Sequence, residues 1–284
     1  MSSLKIIECP RDAMQGIHEY IPAALKAKYI NTLLKVGYDT IDFGSFVSPK
    51  AIPQMRDTAE VLSMLDLSTT KSKLLAIVAN RRGAADASSF DEITYLGYPF
   101  SISETFQLRN TNATIEESLV RVQQIKEIAD KAGKELVIYI SMGFGNPYGD
   151  EWNVAICQHW VAKLYEMGIT IMALSDTIGV ANPQTITYLF SQLIPAFEAV
   201  EFGAHLHTQP HNWTEKVHAA YSSGCRRFDA ALKGYGGCPM AKDDLTGNMP
   251  TENLLYYFDT NEIETNLDKD EFINALVVSN EVFL

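Results

Sequence analysis

Apolar, β-branched runs of strand length recur eight times along this 284-residue chain, and amphipathic stretches of helical period lie between them. We predict strands at residues 4–8, 39–43, 73–79, 92–100, 135–141, 170–174, 202–207 and 227–232. Strands that alternate with helices pair in parallel, because parallel neighbours need a long crossover connection. The pattern therefore predicts one parallel sheet.

The stretches between the strands are long enough for helices. We predict helices at residues 21–36, 53–65, 115–132, 151–167, 183–197, 211–223 and 251–258, with a short third unit at 81–90 and a final helix at 268–284. Capping signals support several starts: Ser48-Pro49, Asn182-Pro183, and Thr114 followed by Glu117. Eight strand–helix units in a chain of this length predict an α/β fold, the (β/α)8 TIM barrel. We expect a single domain, residues 1–284, whose C-terminal helical extension covers the barrel or contacts a partner.

Composition narrows the class of partner. The formal net charge is -12, from 35 acidic and 23 basic residues, which repels nucleic acid and anionic membrane. No apolar run approaches the roughly 18 residues of a membrane span, and the first residues lack the features of a signal or transit peptide. The four cysteines, Cys9, Cys157, Cys225 and Cys238, have no disulfide-framework or C-x-x-C spacing. We expect free thiols in a reducing, cytoplasmic location, with no nucleic-acid or membrane partner.

Polar side chains occur where the predicted strands end. They are Arg11, Asp12, Asp42, Ser103, Glu104, Asp176, Thr177, His205, His207 and Asn248. In a barrel of this kind the active site occupies the face formed by the carboxyl ends of the strands. These residues are therefore expected to converge on one site despite their separation in sequence.

A divalent cation site is the chemistry that this set favours. His205 and His207 are two residues apart on a strand, so both side chains point to the same side. Together with Asp12 and Asn248 they offer the oxygen and nitrogen donors that a hard to borderline divalent cation prefers. The alternative is structural: the histidines are satisfied by polar neighbours, and Arg11 and Asp12 form an ion pair at the barrel mouth.

The glycine-rich run at 234–239 contains Cys238. A thiol beside the cation could act as a proton donor. The same run could also be a simple turn, because glycine and proline are common in turns. The other three cysteines are expected to be packed thiols.

Several segments together resemble the hydroxymethylglutaryl-CoA lyases, which are metal-dependent barrel enzymes of the wider Claisen-type lyase and synthase group. The segments are RDAMQ at 11–15, SFVSPK at 45–50, QLRNTNATIEES at 107–118, LSDTIGVANP at 174–183, HLH at 205–207, GYGGCPMA at 234–241 and TGN at 246–248. The resemblance runs from about residue 4 to about residue 260.

The resemblance implies roles for particular residues. It implies that Asp12, His205, His207 and Asn248 are ligands of Mg²⁺ or Mn²⁺. It implies that Arg11 faces the substrate carbonyl oxygen and that Cys238 is the thiol on a mobile loop. The substrate-binding set that it implies is Arg11, Gln15, Ser45, Asp176 and Thr177.

The chain also departs from the family pattern. Ala13 replaces a glycine, Asp42 replaces a glutamate, and Thr208 replaces the aspartate that normally follows the second histidine. The signature loop carries Lys233, Tyr235 and Met240, and one extra residue separates Cys238 from Asn248. All of the implied ligands are present. The departures bear on acyl specificity more than on chemistry, because groups behind the ligands orient and tune them.

The activity that the resemblance implies is a retro-Claisen cleavage of 3-hydroxy-3-methylglutaryl-CoA, or a close 3-hydroxyacyl-CoA, to acetyl-CoA and acetoacetate or a related keto acid. His205 or Asp42 is the expected base, Arg11 stabilises the enolate, and Cys238 protonates it. We expect an acyl-CoA substrate and a homodimer. Two alternatives stay open: another enzyme of the group acting on a different 3-hydroxyacyl thioester or a 4-hydroxy-2-oxo acid, and a non-catalytic barrel that binds metal or acyl-CoA.

Overall fold

A computed structural model describes residues 3–237 and 246–283. Eight strands form a closed barrel in sequence order, and every neighbouring pair is parallel, including the pair of first and last strands that closes the barrel. The strands are β1 Lys5–Glu8, β2 Thr40–Ser45, β3 Lys73–Ile77, β4 Ile93–Ser101, β5 Glu135–Ser141, β6 Ile171–Ser175, β7 Glu201–His205 and β8 Arg227–Ala230. The predicted TIM barrel is confirmed.

Helices connect successive strands around the outside of the barrel. They are α1 Pro10–Gln15, α2 Ala23–Val36, α3 Thr58–Ser63, α4 Arg81–Ser88, α5 Glu104–Thr111, α6 Ile115–Lys131, α7 Val154–Glu166, α8 Pro183–Ala196, α9 Trp213–Ser222, α10 Thr251–Thr260 and α11 Lys269–Val282. None of these helices has both the length and the apolar character that a membrane span requires.

Some predicted boundaries are wrong. The seventh strand ends at His205, and His207 lies beyond it in an isolated bridge to Asn248. Ser48-Pro49 begins no helix; the helical turn that follows starts at Pro53. The predicted helix 53–65 divides into that short turn and α3. The capping boxes at Thr114 and Asn182 are confirmed, with Glu117 and Thr185 completing them.

Side chains fill the barrel interior below the carboxyl-end face. Leu75, Tyr95, Val137 and Ala173 belong to an apolar cluster contributed by β3, β4, β5 and β6. A Cβ at Gly97 on β4 would approach Ile77 Cδ1 to 2.6 Å, so this position has room only for glycine. Because the barrel interior is filled, a substrate cavity is expected at the face formed by the carboxyl ends of the strands.

The C-terminal helix α11 packs outside the barrel on the first unit. Lys28 of α2 forms an ion pair with Glu281 at 2.7 Å, and the rings of Tyr29 and Phe283 meet edge to face with centroids 5.7 Å apart. The extension therefore lies against α2.

Candidate active site

A cavity of about 610 Å³ opens at the carboxyl ends of the strands. Among the residues predicted for the site, those that line it are Arg11, Asp12, Gln15, Ser45, Thr177, His205 and His207. Residues far apart in sequence converge there, as the barrel topology requires.

Arg11 is held by three side chains. Its helix α1 begins with Pro10 immediately after β1, which places Arg11 and Asp12 in the first turn above the strand end. The Arg11 Nε donates to both oxygens of Asp42 at 3.1 and 3.0 Å, and Nη2 also donates to Asp42. Nη1 donates to Asp12 at 2.9 Å and to Gln15 at 3.0 Å. The guanidinium is therefore fixed at the cavity wall.

Asp42 lies behind Arg11 and does not line the cavity. Burial raises the pKa of Asp42 to about 6, although the charge of Arg11 acts to lower it. The expectation that Asp42 is a base reaching the substrate needs correction, because both of its oxygens accept hydrogen bonds from Arg11. Its position makes it the residue that orients Arg11.

Asp12 is surrounded by donors. Its Oδ1 accepts from Arg11 and from Gln15 Nε2 at 2.7 Å, and its Oδ2 accepts from Asn248 Nδ2 at 2.6 Å. Burial alone would raise the pKa of Asp12, but the charges of Arg11 and the two histidines and the hydrogen bond from Asn248 together lower it. The carboxylate is therefore ionised at neutral pH, as a cation ligand must be.

The two histidines lie beside Asp12. Asp12, His205 and His207 each offer a ligand atom, and these atoms lie within 4.8 Å of one another. The buried Nδ1 of His207 has no hydrogen-bond partner within residues 3–237 and 246–283. Burial, with the charge of His205 beside it, lowers the pKa of His207 to about 3, so its ring is neutral. A neutral imidazole next to an ionised carboxylate and a second histidine fits a divalent cation.

Asn248 reaches the histidines through backbone pairing. His207 and Asn248 form an antiparallel bridge, in which Thr208 N donates to Gly247 O at 3.0 Å and Met249 N donates to Leu206 O at 3.0 Å. The Asn248 side-chain nitrogen donates to Asp12 and, at 2.8 Å, to Tyr235 O. All four predicted cation ligands therefore meet at one place.

His205 has a second partner on the neighbouring strand. Its Nδ1 lies 3.1 Å from Asp229 Oδ2. Burial acts to lower the pKa of His205, but the hydrogen bond and charge of Asp229 and the charge of Asp12 raise it overall. Sequence reasoning missed Asp229, although its position on β8 next to the end of β7 would have indicated it.

Asp176 lies away from the cavity, and its expected substrate contact needs correction. Its carboxylate accepts from Lys216 Nζ at 2.7 Å and from Ala181 N at 2.9 Å, and the side chain is almost completely buried. Lys216 also donates to His207 O at 2.8 Å. Asp176 therefore supports the histidine segment through Lys216. A lysine on the inward face of α9 was the signal that sequence reasoning overlooked.

Thr177 and Ser45, which are expected to bind substrate, both line the cavity. Thr177 Oγ1 accepts from Met142 N at 2.8 Å, and Ser45 Oγ donates to Ile77 O at 3.3 Å. The cavity also has a basic and polar part that sequence reasoning did not assign, although it lies in or next to the quoted motif at 107–118. Its residues are Arg109, Asn110, Thr111, Asn112 and Arg121.

Cys238, the predicted proton donor, lies outside the described residues. Cys9, Cys157 and Cys225 are free and buried, which confirms the expectation of packed thiols. Burial raises the pKa of both Cys157 and Cys225 to about 12, so neither is a nucleophile at neutral pH.

Comparison with known proteins agrees with this geometry. The chain is 31% identical over 268 residues to a hydroxymethylglutaryl-CoA lyase of Bacillus subtilis (strain 168), covering 94% of this chain and 88% of that protein. It is 33% identical over 263 residues to the hydroxymethylglutaryl-CoA lyase of Pseudomonas mevalonii, covering 90% and 84% of the two chains.

Solved structures of similar proteins superpose over almost the whole chain. The Bacillus subtilis HMG-CoA lyase aligns with a TM-score of 0.92 at 30% identity, covering 99% of this chain and 94% of that one. An HMG-CoA lyase of Acinetobacter baumannii, in complex with coenzyme A and 3-methylmalate, aligns with a TM-score of 0.91 at 30% identity, covering 99% and 91%. The HMGL-like family model matches residues 4–278, and the chain therefore belongs to the HMGL-like family, together with the hydroxymethylglutaryl-CoA lyases.

Proposed function

We propose that this protein is a metal-dependent carbon–carbon lyase that cleaves 3-hydroxy-3-methylglutaryl-CoA to acetyl-CoA and acetoacetate. The observation that carries the proposal is the group formed by Asp12, His205 and His207 at the cavity, with Asn248 bonded to Asp12. The family relatives bear the name of this activity.

Asp12, His205, His207 and Asn248 would hold the cation, and the closeness of the ligand atoms of Asp12 and the two histidines, all within 4.8 Å of one another, supports this assignment. Mg²⁺ or Mn²⁺ suits a set of carboxylate, amide and imidazole donors. When bound, the cation supplies Lewis acidity to the hydroxyl and carbonyl oxygens of the substrate. The residues around it bind the substrate and move its protons.

Arg11 is suited to stabilising negative charge on the thioester carbonyl oxygen. It lines the cavity, and Asp42, Asp12 and Gln15 fix its orientation before substrate arrives. A donor whose position is fixed in advance stabilises an enolate without reorganisation during the reaction. The acetyl thioester leaves as that enolate when the carbon–carbon bond breaks.

We assign the protonation of the enolate to Cys238. His205, one of the two expected bases, is not available to accept the hydroxyl proton while it holds the cation, because its Nδ1 faces Asp229 and its other nitrogen would be the ligand atom. The hydroxyl proton would instead pass to a water molecule in the cavity, since a bound cation makes the hydroxyl more acidic. Cys238, carried over from the family motif, would then protonate the enolate carbon. An ordinary thiol, with a pKa of about 8.5, is an effective acid near neutral pH.

An acyl-CoA substrate suits the rest of the cavity. Arg109 and Arg121 line it together with the cation-site residues, and they give a local positive charge in a chain of net charge -12. Phosphate groups need such a local patch when the whole protein is acidic. The related structure in complex with coenzyme A and 3-methylmalate supports this class of ligand.

A cytoplasmic location and a homodimer belong to the same proposal. Buried free thiols agree with a reducing compartment. Relatives are named cytoplasmic in Danio rerio and mitochondrial in Bos taurus, so the names alone favour neither compartment. Sedimentation of the purified protein tests the dimer directly.

The deciding experiment is a cleavage assay with purified protein that has been stripped with a chelator and reloaded. We expect acetyl-CoA to be released from 3-hydroxy-3-methylglutaryl-CoA only after Mg²⁺ or Mn²⁺ is added. A panel of other 3-hydroxyacyl-CoA thioesters and 4-hydroxy-2-oxo acids is assayed in parallel. Preference for another panel member would reassign the substrate within the group, and inactivity on all of them would favour a binding protein.

A further inference from the structure

Residues 233–237 lead from the end of β8 towards the cavity, and only two of them have side chains. Lys233 and Tyr235 alternate with Gly234, Gly236 and Gly237. Four of the five residues have positive φ angles, namely 63° at Lys233, 68° at Gly234, 101° at Gly236 and 126° at Gly237. Glycine-rich backbone loses more conformational freedom on folding than other sequences, so its position depends on external contacts.

Both side chains in this segment contact the C-terminal helix α11 or the residue that ends it. The ring of Tyr235 stacks on Phe283 with centroids 4.6 Å apart and planes 11° from parallel. The Tyr235 hydroxyl donates to Phe283 O at 3.4 Å, and Lys233 Nζ donates to Asn280 Oδ1. The end of the helix also contacts α2, where the ring of Tyr29 packs edge to face on Phe283 and Lys28 forms an ion pair with Glu281.

The backbone of Tyr235 contacts the cation site. Its carbonyl oxygen accepts from Asn248 Nδ2 at 2.8 Å, and the same nitrogen donates to Asp12 Oδ2 at 2.6 Å. An amide nitrogen has two hydrogens, so these two acceptors fix the plane of the amide and leave its oxygen as the atom for a cation. A Cβ at Gly236 would approach Asn248 Nδ2 to 2.5 Å, so the segment lies directly against the amide.

We propose that the C-terminal helix positions a cation ligand: Phe283 holds Tyr235, and Tyr235 holds the amide of Asn248 beside Asp12. Tyr235 is a positioning residue in this scheme, because its ring lies outside the cavity lining and acts through its own backbone. The inference rests on the cation site of the proposed function. It explains why Lys233 and Tyr235, two departures from the family loop, both have partners on the C-terminal helix or at its end.

The test measures the affinity of the purified protein for Mn²⁺ by the electron paramagnetic resonance signal of the free ion. Tyr235→Ala removes the stacked ring. Because Tyr235 is 41% exposed in the folded protein, we expect the variant to fold. We expect its affinity for Mn²⁺ to fall by about three- to tenfold, the range that corresponds to one aromatic pair. Tyr235→Phe keeps the ring and should bind Mn²⁺ as the wild type does.

Tyr256→Ala is the matched control, because Tyr256 is an exposed tyrosine on α10 whose ring meets Trp213 instead. It should leave the affinity for Mn²⁺ unchanged. Phe283→Ala should weaken binding as Tyr235→Ala does, and the double variant should be no weaker than either single one, because the two residues act as one unit. Saturating Mn²⁺ should restore most of the kcat that Tyr235→Ala and Phe283→Ala lose at lower Mn²⁺ concentrations.

The outcomes separate this inference from the proposed function. Wild-type protein that binds no Mn²⁺ overturns the cation site, and the inference with it. Wild-type binding together with unchanged affinity in Tyr235→Ala overturns the inference alone. A lower melting temperature with unchanged affinity would also overturn it, because the stack would then serve only stability.

Discussion

His205 and Asp229 are directly paired neighbours on β7 and β8, and the histidine Nδ1 lies 3.1 Å from the aspartate Oδ2. The Asp229 side chain is completely buried. A carboxylate on one ring nitrogen of a histidine fixes the tautomer and the ring orientation, and it makes the other nitrogen a better ligand. The pairing therefore supports His205 from inside the barrel, while Asp12 and His207 lie on its cavity side.

Asp229→Asn is expected to weaken cation binding by about 10- to 100-fold, the range found for the loss of such a supporting carboxylate. Calorimetry with Mn²⁺ measures it. The buried Arg227 lies near Asp229 and forms an ion pair with Glu201. Glu201→Gln is therefore the control, because it also removes a negative charge beside Arg227 but does not touch His205. Equal weakening in both variants would contradict the role assigned to Asp229.

His205→Ala should abolish metal-dependent turnover and remove measurable binding of Mn²⁺, because it deletes one of the proposed cation ligands. The fold should remain, since His205 is partly exposed to the cavity and β7 is held by both neighbouring strands. His218→Ala is the control: His218 bonds to Tyr257 OH on the outer side of α9, away from the cavity. Full affinity for Mn²⁺ in His205→Ala would show that the ligands are assigned wrongly.

Arg11→Met tests whether the arginine acts in the reaction or only in an ion pair. If Arg11 stabilises an enolate, kcat and kcat/KM should fall together by about 10²- to 10³-fold. Asp42→Asn should cause a smaller fall in the same direction, because Asp42 orients Arg11 and does not line the cavity. A change confined to the melting temperature would favour the ion pair.

The fold could be predicted from the sequence because strand and helix periods are local signals. The site could be predicted in part, because the carboxyl ends of parallel strands meet on one face and the polar residues at 12, 205, 207 and 248 follow strands. Helix α1 was missed as an element, since six residues are too few for a period to show.

The partners behind the site could not be predicted, because they depend on which side chains meet in three dimensions. Asp176 follows a strand as Thr177 does, yet Asp176 points to Lys216 and Thr177 lines the cavity. Asp42 is expected at the end of a strand, but β2 continues to Ser45, and both oxygens of Asp42 accept hydrogen bonds from Arg11. The position of a residue along a strand predicts how far it lies from the carboxyl-end face of the barrel. Which side chains it contacts depends on tertiary packing.

Cys238→Ser tests the proton donor that the family motif implies. We expect the variant to bind Mn²⁺ and acyl-CoA normally but to lose most of its turnover, because a serine hydroxyl is a far weaker acid than a thiol. Cys238 should also be the first thiol to be alkylated, since the other three are buried, and substrate should protect it. Cleavage at the wild-type rate by Cys238→Ser would assign the proton to another residue.

We expect Glu8 to make the stability of the protein depend on pH. Its side chain is fully buried, accepts from Leu232 N at 2.8 Å and lies 2.6 Å from Thr251 Oγ1, at the point where the chain leaves β8 and enters α10. Burial raises the pKa of Glu8 from 4.5 to about 8, and the two hydrogen bonds only partly oppose this rise. Between pH 4.5 and about pH 8, the folded protein therefore keeps Glu8 protonated, whereas the unfolded chain has released this proton.

Because the folded state binds the extra proton, the free energy of unfolding should fall as pH rises from about 4.5 to about 8. Glu8→Gln keeps both hydrogen bonds and removes the titration, so its melting temperature should fall less over this range than that of the wild type. Each kcal/mol recovered corresponds to about 2–4 °C in a protein somewhat smaller than this one. Glu60→Gln, at an exposed position on α3, is the control and should follow the wild type. Parallel melting curves for wild type and Glu8→Gln at every pH would show that Glu8 does not titrate in this window.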